Sequence, residues 1–125
     1  MGYYLIASKN FDDLTSHISY LYLENAMQGG NDFALGIILD GNIASSKEDS
    51  TSAISFLNEY TINDNALLSA NMIFVNMTNK DAIEFDVGIY YTSQDDVELS
   101  AIYGNYTSGD EDTQNMLSLN LVASY

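Results

Sequence analysis

The sequence predicts an all-β chain, folded as an antiparallel up-and-down transmembrane β-barrel of about eight strands. Alternation of apolar and polar residues predicts the strands, because successive side chains of a strand point to opposite faces of a sheet. Strands of roughly ten residues joined by short polar turns are typical of barrels whose outer face meets lipid. A third observation is the aromatic residue Tyr125, which ends the last alternating segment.

The alternation is clearest in the last third of the chain. Phe85 and Val87 fall on one parity of a segment in which Glu84 and Asp86 fall on the other. The pattern restarts in residues 97–104 and again in residues 117–125, where every second residue is apolar. Each of these segments therefore predicts a strand with one apolar and one polar face.

Eight segments carry strand patterns, and the breaks between them are rich in Asn, Asp, Ser and Gly, which suit tight turns. The breaks recur about every 16 residues, the spacing of strand plus turn in a meander. The absence of Pro fits this prediction, since Pro cannot donate a hydrogen bond within a sheet. The predicted strands are residues 3–8, 16–25, 33–45, 51–62, 66–77, 82–92, 97–107 and 115–125.

Three of these segments are ambiguous by periodicity. Residues 51–60 and 65–74 could also form helices, and residues 33–39 are apolar almost throughout. In the segment 66–77, apolar residues occupy both parities. The sequence favours strands at all three places because the hairpin rhythm continues through them.

The composition restricts the class of protein. A length of 125 residues suits a single domain, residues 1–125, and 46% apolar residues are ordinary for a folded chain. Eighteen acidic residues against three Lys and no Arg give a net charge of −15, which excludes nucleic acid as an expected partner. Without Cys there is no disulfide or thiolate metal site. The acidic residues concentrate in the breaks, where they keep a sheet-rich chain soluble during folding.

Membrane helices and a signal peptide are not expected from the sequence. No run of about 18 apolar residues occurs, which a transmembrane helix needs. The chain begins without a basic segment or a small-residue cleavage site. A barrel in the outer membrane would therefore be a mature form carrying an added Met.

Alternation alone does not say whether the apolar face points inward, as in a soluble barrel, or outward to lipid. Tyr residues near strand ends, small residues on the polar parity and the absence of Lys from the predicted strand interiors favour lipid. The lipid-facing candidates are Phe85, Val87, Leu99, Leu119 and Leu121. The lumen-facing candidates are Glu59, Glu84, Asp86, Tyr90, Glu98 and Asn120.

The last segment, residues 117–125 with the sequence LSLNLVASY, resembles the C-terminal strand of bacterial outer-membrane β-barrel proteins. The hairpins from about Asn63 onward are similar to those of such barrels, and Phe11-Asp12-Asp13-Leu14 with residues 18–23 resembles a turn and strand of substrate-specific porins. The resemblance implies a place in the bacterial outer membrane, with the lipid bilayer as partner. It also implies that Tyr125 is the assembly signal read by the barrel-assembly machinery.

The resemblance further implies a topology. The C-terminus of such barrels lies on the periplasmic side, where turns are short. Counting back places the breaks at residues 93–96, 63–65 and 28–32 on that side. The break at residues 10–13 then falls on the opposite side, although it is short.

No catalytic residue, metal site or cofactor is expected. His17 is the one His, and Ser16 and Ser19 are merely near it in sequence, so a polar residue on a lumen or loop-proximal face is the favoured interpretation. Glu59, Glu84, Asp86 and Glu98 could share the inner face and attract cations. The expected function is a structural or narrow, cation-leaning pore role that passes small cations or solutes. The alternative is a soluble β-barrel or sandwich that binds an apolar ligand or assembles into a filament.

Overall fold

The computed structural model describes residues 2–24, 50–77, 81–93, 96–109 and 112–123. In these ranges the chain is all β and forms one antiparallel sheet of seven strands in up-and-down order, as the alternation predicts. Each strand pairs with its neighbours in sequence. The strands are β1 (Gly2–Phe11), β2 (Leu14–Glu24), β3 (Ser50–Asn63), β4 (Ala66–Met77), β5 (Asp81–Thr92), β6 (Val97–Ser108) and β7 (Gln114–Ala123).

The strand bounds follow from the turns between them. Strands β3 to β6 begin and end within two residues of the predicted segments, and the helical alternatives for residues 51–60 and 65–74 are wrong. Strand β1 extends to Phe11, beyond the predicted end at Ser8, because its turn consists of Asp12 and Asp13 alone. Asp12 adopts the left-handed region with φ 50°, which Asp tolerates better than most residues.

The order of strands differs from the prediction at one place. Strand β2 pairs directly with β3, in a register running from Leu14 opposite Tyr60 to Glu24 opposite Ser50. The predicted strand at residues 33–45 lies outside the described residues. The direct pairing leaves no space for a strand between β2 and β3, so the predicted sheet order is wrong there.

This pairing also corrects the predicted topology. The turns at Asp12–Asp13 and at residues 64–65 lie at one end of the sheet, where β5 also ends and β6 begins, and we call this the short-turn end. Backbone bonds join neighbouring hairpins at this end, from Thr61 N to Asp13 O and from Thr92 N to Asn65 O, both 2.8 Å. The prediction had placed residues 10–13 at the opposite end because it counted an additional strand. Strand β7 runs toward the short-turn end.

The sheet is not closed within the described part of the chain. Strands β1 and β7 each have one neighbour, β2 and β6, and lie at the two edges. Because neighbouring strands alternate in direction, β1 and β7 run the same way. The antiparallel meander is therefore established, whereas closure into a barrel is a separate question.

The two faces of the sheet differ in burial. One row of cross-strand partners lies on the face that we call inner, and it consists of Ser19, Ser55, Ile73, Glu84 and Tyr106. The residues directly before and after each of these in sequence lie on the other face, which we call outer. Those five residues are all buried. Every residue that is buried among the described ones lies on the inner face by strand register.

Candidate functional site

The outer face is apolar and exposed. All five lipid-facing candidates lie on it, and the exposed fraction is 40% for Phe85 and Val87 and 71% for Leu119. Large apolar side chains of this face are also exposed on each of the four remaining strands, β1 to β4; examples are Leu5, Phe56 and Phe74. A folded chain in water rarely exposes a contiguous apolar surface of this extent without something covering it.

The apolar residues of the outer face form an oblique band. One row of opposed residues passes from Leu5 through Ile54 and Ile83 to Thr107 on β6. On the later strands the polar outer residues lie toward the end opposite the short turns, and they are Asn76, Asp81, Asn105, Thr107 and Asn115. On the first three strands Lys9, Ser16 and Asn58 lie toward the short-turn end, but Phe11, Leu14 and Tyr60 lie beyond them, and Ser50 and Ser52 lie toward the opposite end of β3.

The slope of the band can be measured from the register. The band on β1 is centred on Leu5, in the row that reaches Thr107 on β6, yet the apolar stretch of β6 is centred near Ser100, seven residues away. Seven residues along a strand span roughly 23 Å, and five strand spacings span roughly 24 Å. The band therefore crosses the strands at about 45° to their rows, close to the tilt of strands in membrane barrels.

Shallow grooves run between the outer side chains. One has a volume of about 400 Å³ and lies between β5, β6 and β7. Its apolar walls include Ile89, Leu99 and Leu121. A groove of this kind can accept an alkyl chain, since its lining offers few polar groups.

The inner face carries all six lumen-facing candidates. Glu84 is fully buried and Asp86 nearly so, whereas Glu59 is half-buried and Glu98, Tyr90 and Asn120 are exposed. In the antiparallel register, Glu84 lies opposite Tyr106 on β6, and Asp86 lies opposite Asn71 on β4. The structure thus brings Glu84 and Asp86 into one polar cluster, while Glu59 lies two strands away on β3.

Small polar residues link the strands along this face. The Asn120 amide donates to Ser100 Oγ at 3.3 Å and to Ser118 Oγ at 3.2 Å, and the Tyr4 hydroxyl donates to Ser19 Oγ at 3.2 Å. The Tyr106 hydroxyl is buried without a hydrogen-bond partner in the described part of the chain. An unsatisfied buried hydroxyl costs free energy, so this residue is a place of local instability.

His17 contacts Ser8, a residue that sequence reasoning missed, and Glu59, one of the lumen-facing candidates. Its Nδ1 lies 2.6 Å from Ser8 Oγ, and its Nε2 lies 2.8 Å from Glu59 Oε1. Ser16 and Ser19, which are near His17 only in sequence, do not take part, and Ser16 Oγ instead donates to Asn58 Oδ1 on the outer face. The two-residue turn sets Ser8 opposite His17, so a correct turn length would have revealed this contact.

The described residues contain neither a metal-binding cluster nor a membrane-spanning helix. In these ranges no group of three or more His, Cys, Asp or Glu side chains is arranged to hold a metal ion. No helix there has the length and apolar character needed to cross a membrane. The predicted assembly signal, Tyr125, lies outside the described residues.

Comparison with protein-family models and with curated proteins finds no match to this chain.

Proposed function

We propose that the chain forms the lipid-contacting wall of a bacterial outer-membrane β-barrel, with a structural or narrow, cation-leaning pore role. The observation that carries this proposal is the oblique apolar band on the outer face. A band tilted relative to the strand rows is expected when tilted strands cross a slab of lipid of fixed thickness. A soluble barrel has no reason to keep its exposed apolar residues within such a slab.

The charges of the inner face support the cation preference. Glu59, Glu84, Asp86 and Glu98 all lie on it. Lys9 is the one Lys or Arg among the described residues, and it lies on the outer face with its amino group 4.9 Å from the centre of the Phe11 ring. Excess carboxylates along a conduit attract cations and repel anions. Small cations or uncharged solutes are therefore the species that this wall would admit.

Closure into a barrel would require a further strand. Strands β1 and β7 run in the same direction, so direct pairing between them would be parallel. Barrels of the bacterial outer membrane contain an even number of antiparallel strands. One further strand between β7 and β1, for eight in all, satisfies this rule and leaves no edge unpaired in the bilayer.

A cysteine scan tests which face meets lipid. The chain has no Cys, so each introduced Cys carries a unique nitroxide label. We expect labels at positions 85, 87 and 119 to be relaxed by oxygen, which partitions into lipid. Labels at positions 90, 98 and 120, which are exposed on the inner face, should respond instead to a water-soluble nickel chelate. Equal response of both sets to the nickel chelate would overturn the proposal.

The open edges favour a second candidate, the soluble β-protein that assembles by strand exchange. Strand β7 has no charged residue and lacks Pro and Gly, so its outward edge has none of the features that usually prevent edge-to-edge pairing. Extraction separates the two candidates. A wall of a membrane barrel stays in the membrane pellet until detergent is added and changes gel mobility on heating. A filament former sediments as large particles that detergent does not disperse.

A further inference from the structure

The strongest unassigned arrangement is the chain of side chains Ser8, His17 and Glu59. It joins β1, β2 and β3 across the inner face, with contacts of 2.6 Å from Ser8 Oγ to His17 Nδ1 and 2.8 Å from His17 Nε2 to Glu59 Oε1. We propose that these residues form an esterase site, in which Ser8 is the nucleophile, His17 the general base and Glu59 the group that orients the imidazole. This proposal departs from the expectation that the chain is not an enzyme.

The tautomer of His17 is the one that a general base needs. An ionised carboxylate can only accept a hydrogen bond, so Glu59 fixes the proton of the neutral imidazole on Nε2. Nδ1 is then unprotonated and accepts the hydrogen bond that the Ser8 hydroxyl donates. The roles of the two ring nitrogens are reversed relative to the usual serine hydrolase arrangement, but the relay from nucleophile to base to carboxylate is the same.

Access and charge define the substrate. Ser8 is exposed, and the side chains of His17 and Glu59 keep 19% and 32% of their surface accessible. Substrate can therefore reach the Ser8 hydroxyl without opening the sheet. The inner face carries Glu59, Glu84, Asp86 and Glu98, so an anionic ester would be repelled. The site suits a neutral or cationic carboxylic ester.

Asn10 is the candidate donor for the oxyanion. It lies two residues from Ser8 on the same face, and its Oδ1 accepts a 2.9 Å hydrogen bond from Thr15 Oγ1. In this orientation the Oδ1 atom is engaged by Thr15, and the NH₂ group is the donor that remains. Donors placed near a developing oxyanion commonly contribute two to three orders of magnitude to turnover.

The reaction proceeds in two balanced steps. Ser8 Oγ attacks the ester carbonyl carbon as its proton passes to His17 Nδ1, and the carbonyl electron pair moves to the oxygen. The tetrahedral species collapses, the bond to the alkoxy oxygen breaks, and the alcohol leaves with the proton from His17. Water then attacks the acyl-serine with the same base, which releases the carboxylic acid and restores the Ser8 hydroxyl.

The test uses the full chain folded in detergent micelles. We expect it to hydrolyse 4-nitrophenyl butyrate and the cationic ester acetylthiocholine, and to be labelled by a fluorophosphonate at Ser8, as located by peptide mass spectrometry. Ser8→Ala should abolish labelling at this site, and His17→Ala should reduce turnover by about 100-fold or more. Ser16→Ala is the matched control, because Ser16 is the sequence neighbour of His17 but lies on the outer face, and its turnover should be unchanged.

Two further variants separate catalysis from folding. In Glu59→Gln the side-chain amide can donate to Nε2, which moves the ring proton to Nδ1 and removes the base, so turnover should fall while the β-sheet circular dichroism stays the same. Asn10→Ala should reduce kcat by about 100-fold with a smaller change in KM. Turnover no higher than that of Ser8→Ala, together with no adduct on Ser8 in the unmodified chain, would overturn the proposal. That result would leave the membrane proposal standing, since the cysteine scan tests it separately.

Discussion

Glu84 and Phe85 are neighbours on the same strand, and they occupy opposite environments. The carboxylate side chain is fully buried on the inner face, while the aromatic ring keeps 40% of its surface exposed on the outer face. In a protein folded in water these two exposures would be exchanged, because burial of apolar area is favourable and burial of a charge is costly. This difference between the two faces is what the proposed membrane wall requires, since its outer face would meet surroundings less polar than the inner face.

The inner face is also packed differently from the outer face. Gly88 is placed where a Cβ atom would lie 2.9 Å from Ser69 Oγ and 3.1 Å from Ile102 Cγ1. The outer side chains of the neighbouring residues, Val87 and Ile89, are exposed instead. Side-chain size is therefore restricted at Gly88 on the inner face, whereas the outer residues Val87 and Ile89 have space and share only their apolar character.

The largest effect should come from placing a charge on the outer face. We expect Leu119→Arg to lower the free energy of unfolding in lipid vesicles by about 2–4 kcal/mol, since the guanidinium would enter the hydrocarbon region. Asn120→Arg is the matched control on the inner face, and we expect it to fold with little loss. Folded fractions can be read from gel mobility across a urea titration. Similar losses in both variants would remove the distinction between the faces.

A smaller effect should follow from enlarging a residue of the inner face. Gly88→Val should destabilise the fold by about 1–3 kcal/mol, because the new side chain overlaps Ser69 and Ile102. Ala70→Val adds comparable bulk on the outer face, opposite Val87, and should change stability by less than about 0.5 kcal/mol. The same urea titration checks both. If Gly88→Val unfolds at the same urea concentration as the unmodified chain, the inner face is not closely packed at this position.

The smallest effect concerns hydroxyl groups. Tyr106→Phe removes a buried hydroxyl that lacks a partner within the described residues, and it should raise stability by about 1 kcal/mol. Tyr103→Phe removes an exposed hydroxyl that donates to Asn115 Oδ1 at 2.8 Å, and it should lower stability by about 0.5 kcal/mol. We expect the urea midpoint of unfolding to rise in Tyr106→Phe and to fall in Tyr103→Phe, which would sharpen the comparison. Loss of stability in Tyr106→Phe would show that this hydroxyl is satisfied in solution.

The alternation predicted the faces well, because side-chain direction in a strand depends only on parity. It therefore placed Phe85 and Glu84 on opposite faces without knowledge of the register. The segment 66–77 looked irregular because Ile73 and Val75 are buried on the inner face while Met72 and Phe74 are exposed on the outer face. In this segment apolar residues both fill the inner face and cover the outer face, so apolar and polar residues do not alternate.

Turn length was harder to predict, and the missed contacts follow from it. The sequence predicted a four-residue break at residues 10–13, but the turn is confined to Asp12 and Asp13 because Asn10 and Phe11 belong to β1. Only the shorter turn sets Ser8 opposite His17. The contact from His17 to Glu59 depends in addition on the register between β2 and β3, and the 25 residues that separate these strands in sequence are too many for a hairpin turn type to predict it.

The connection between β2 and β3 has a consequence for the rate of folding. Every other pair of neighbouring strands is joined by two to five residues, whereas residues 25–49 separate this one. Bringing its ends together costs about 2 kcal/mol more chain entropy than a three-residue connection does. The hairpins on either side of this connection can form locally, and we expect the pairing of β2 with β3 to be the slowest step of folding.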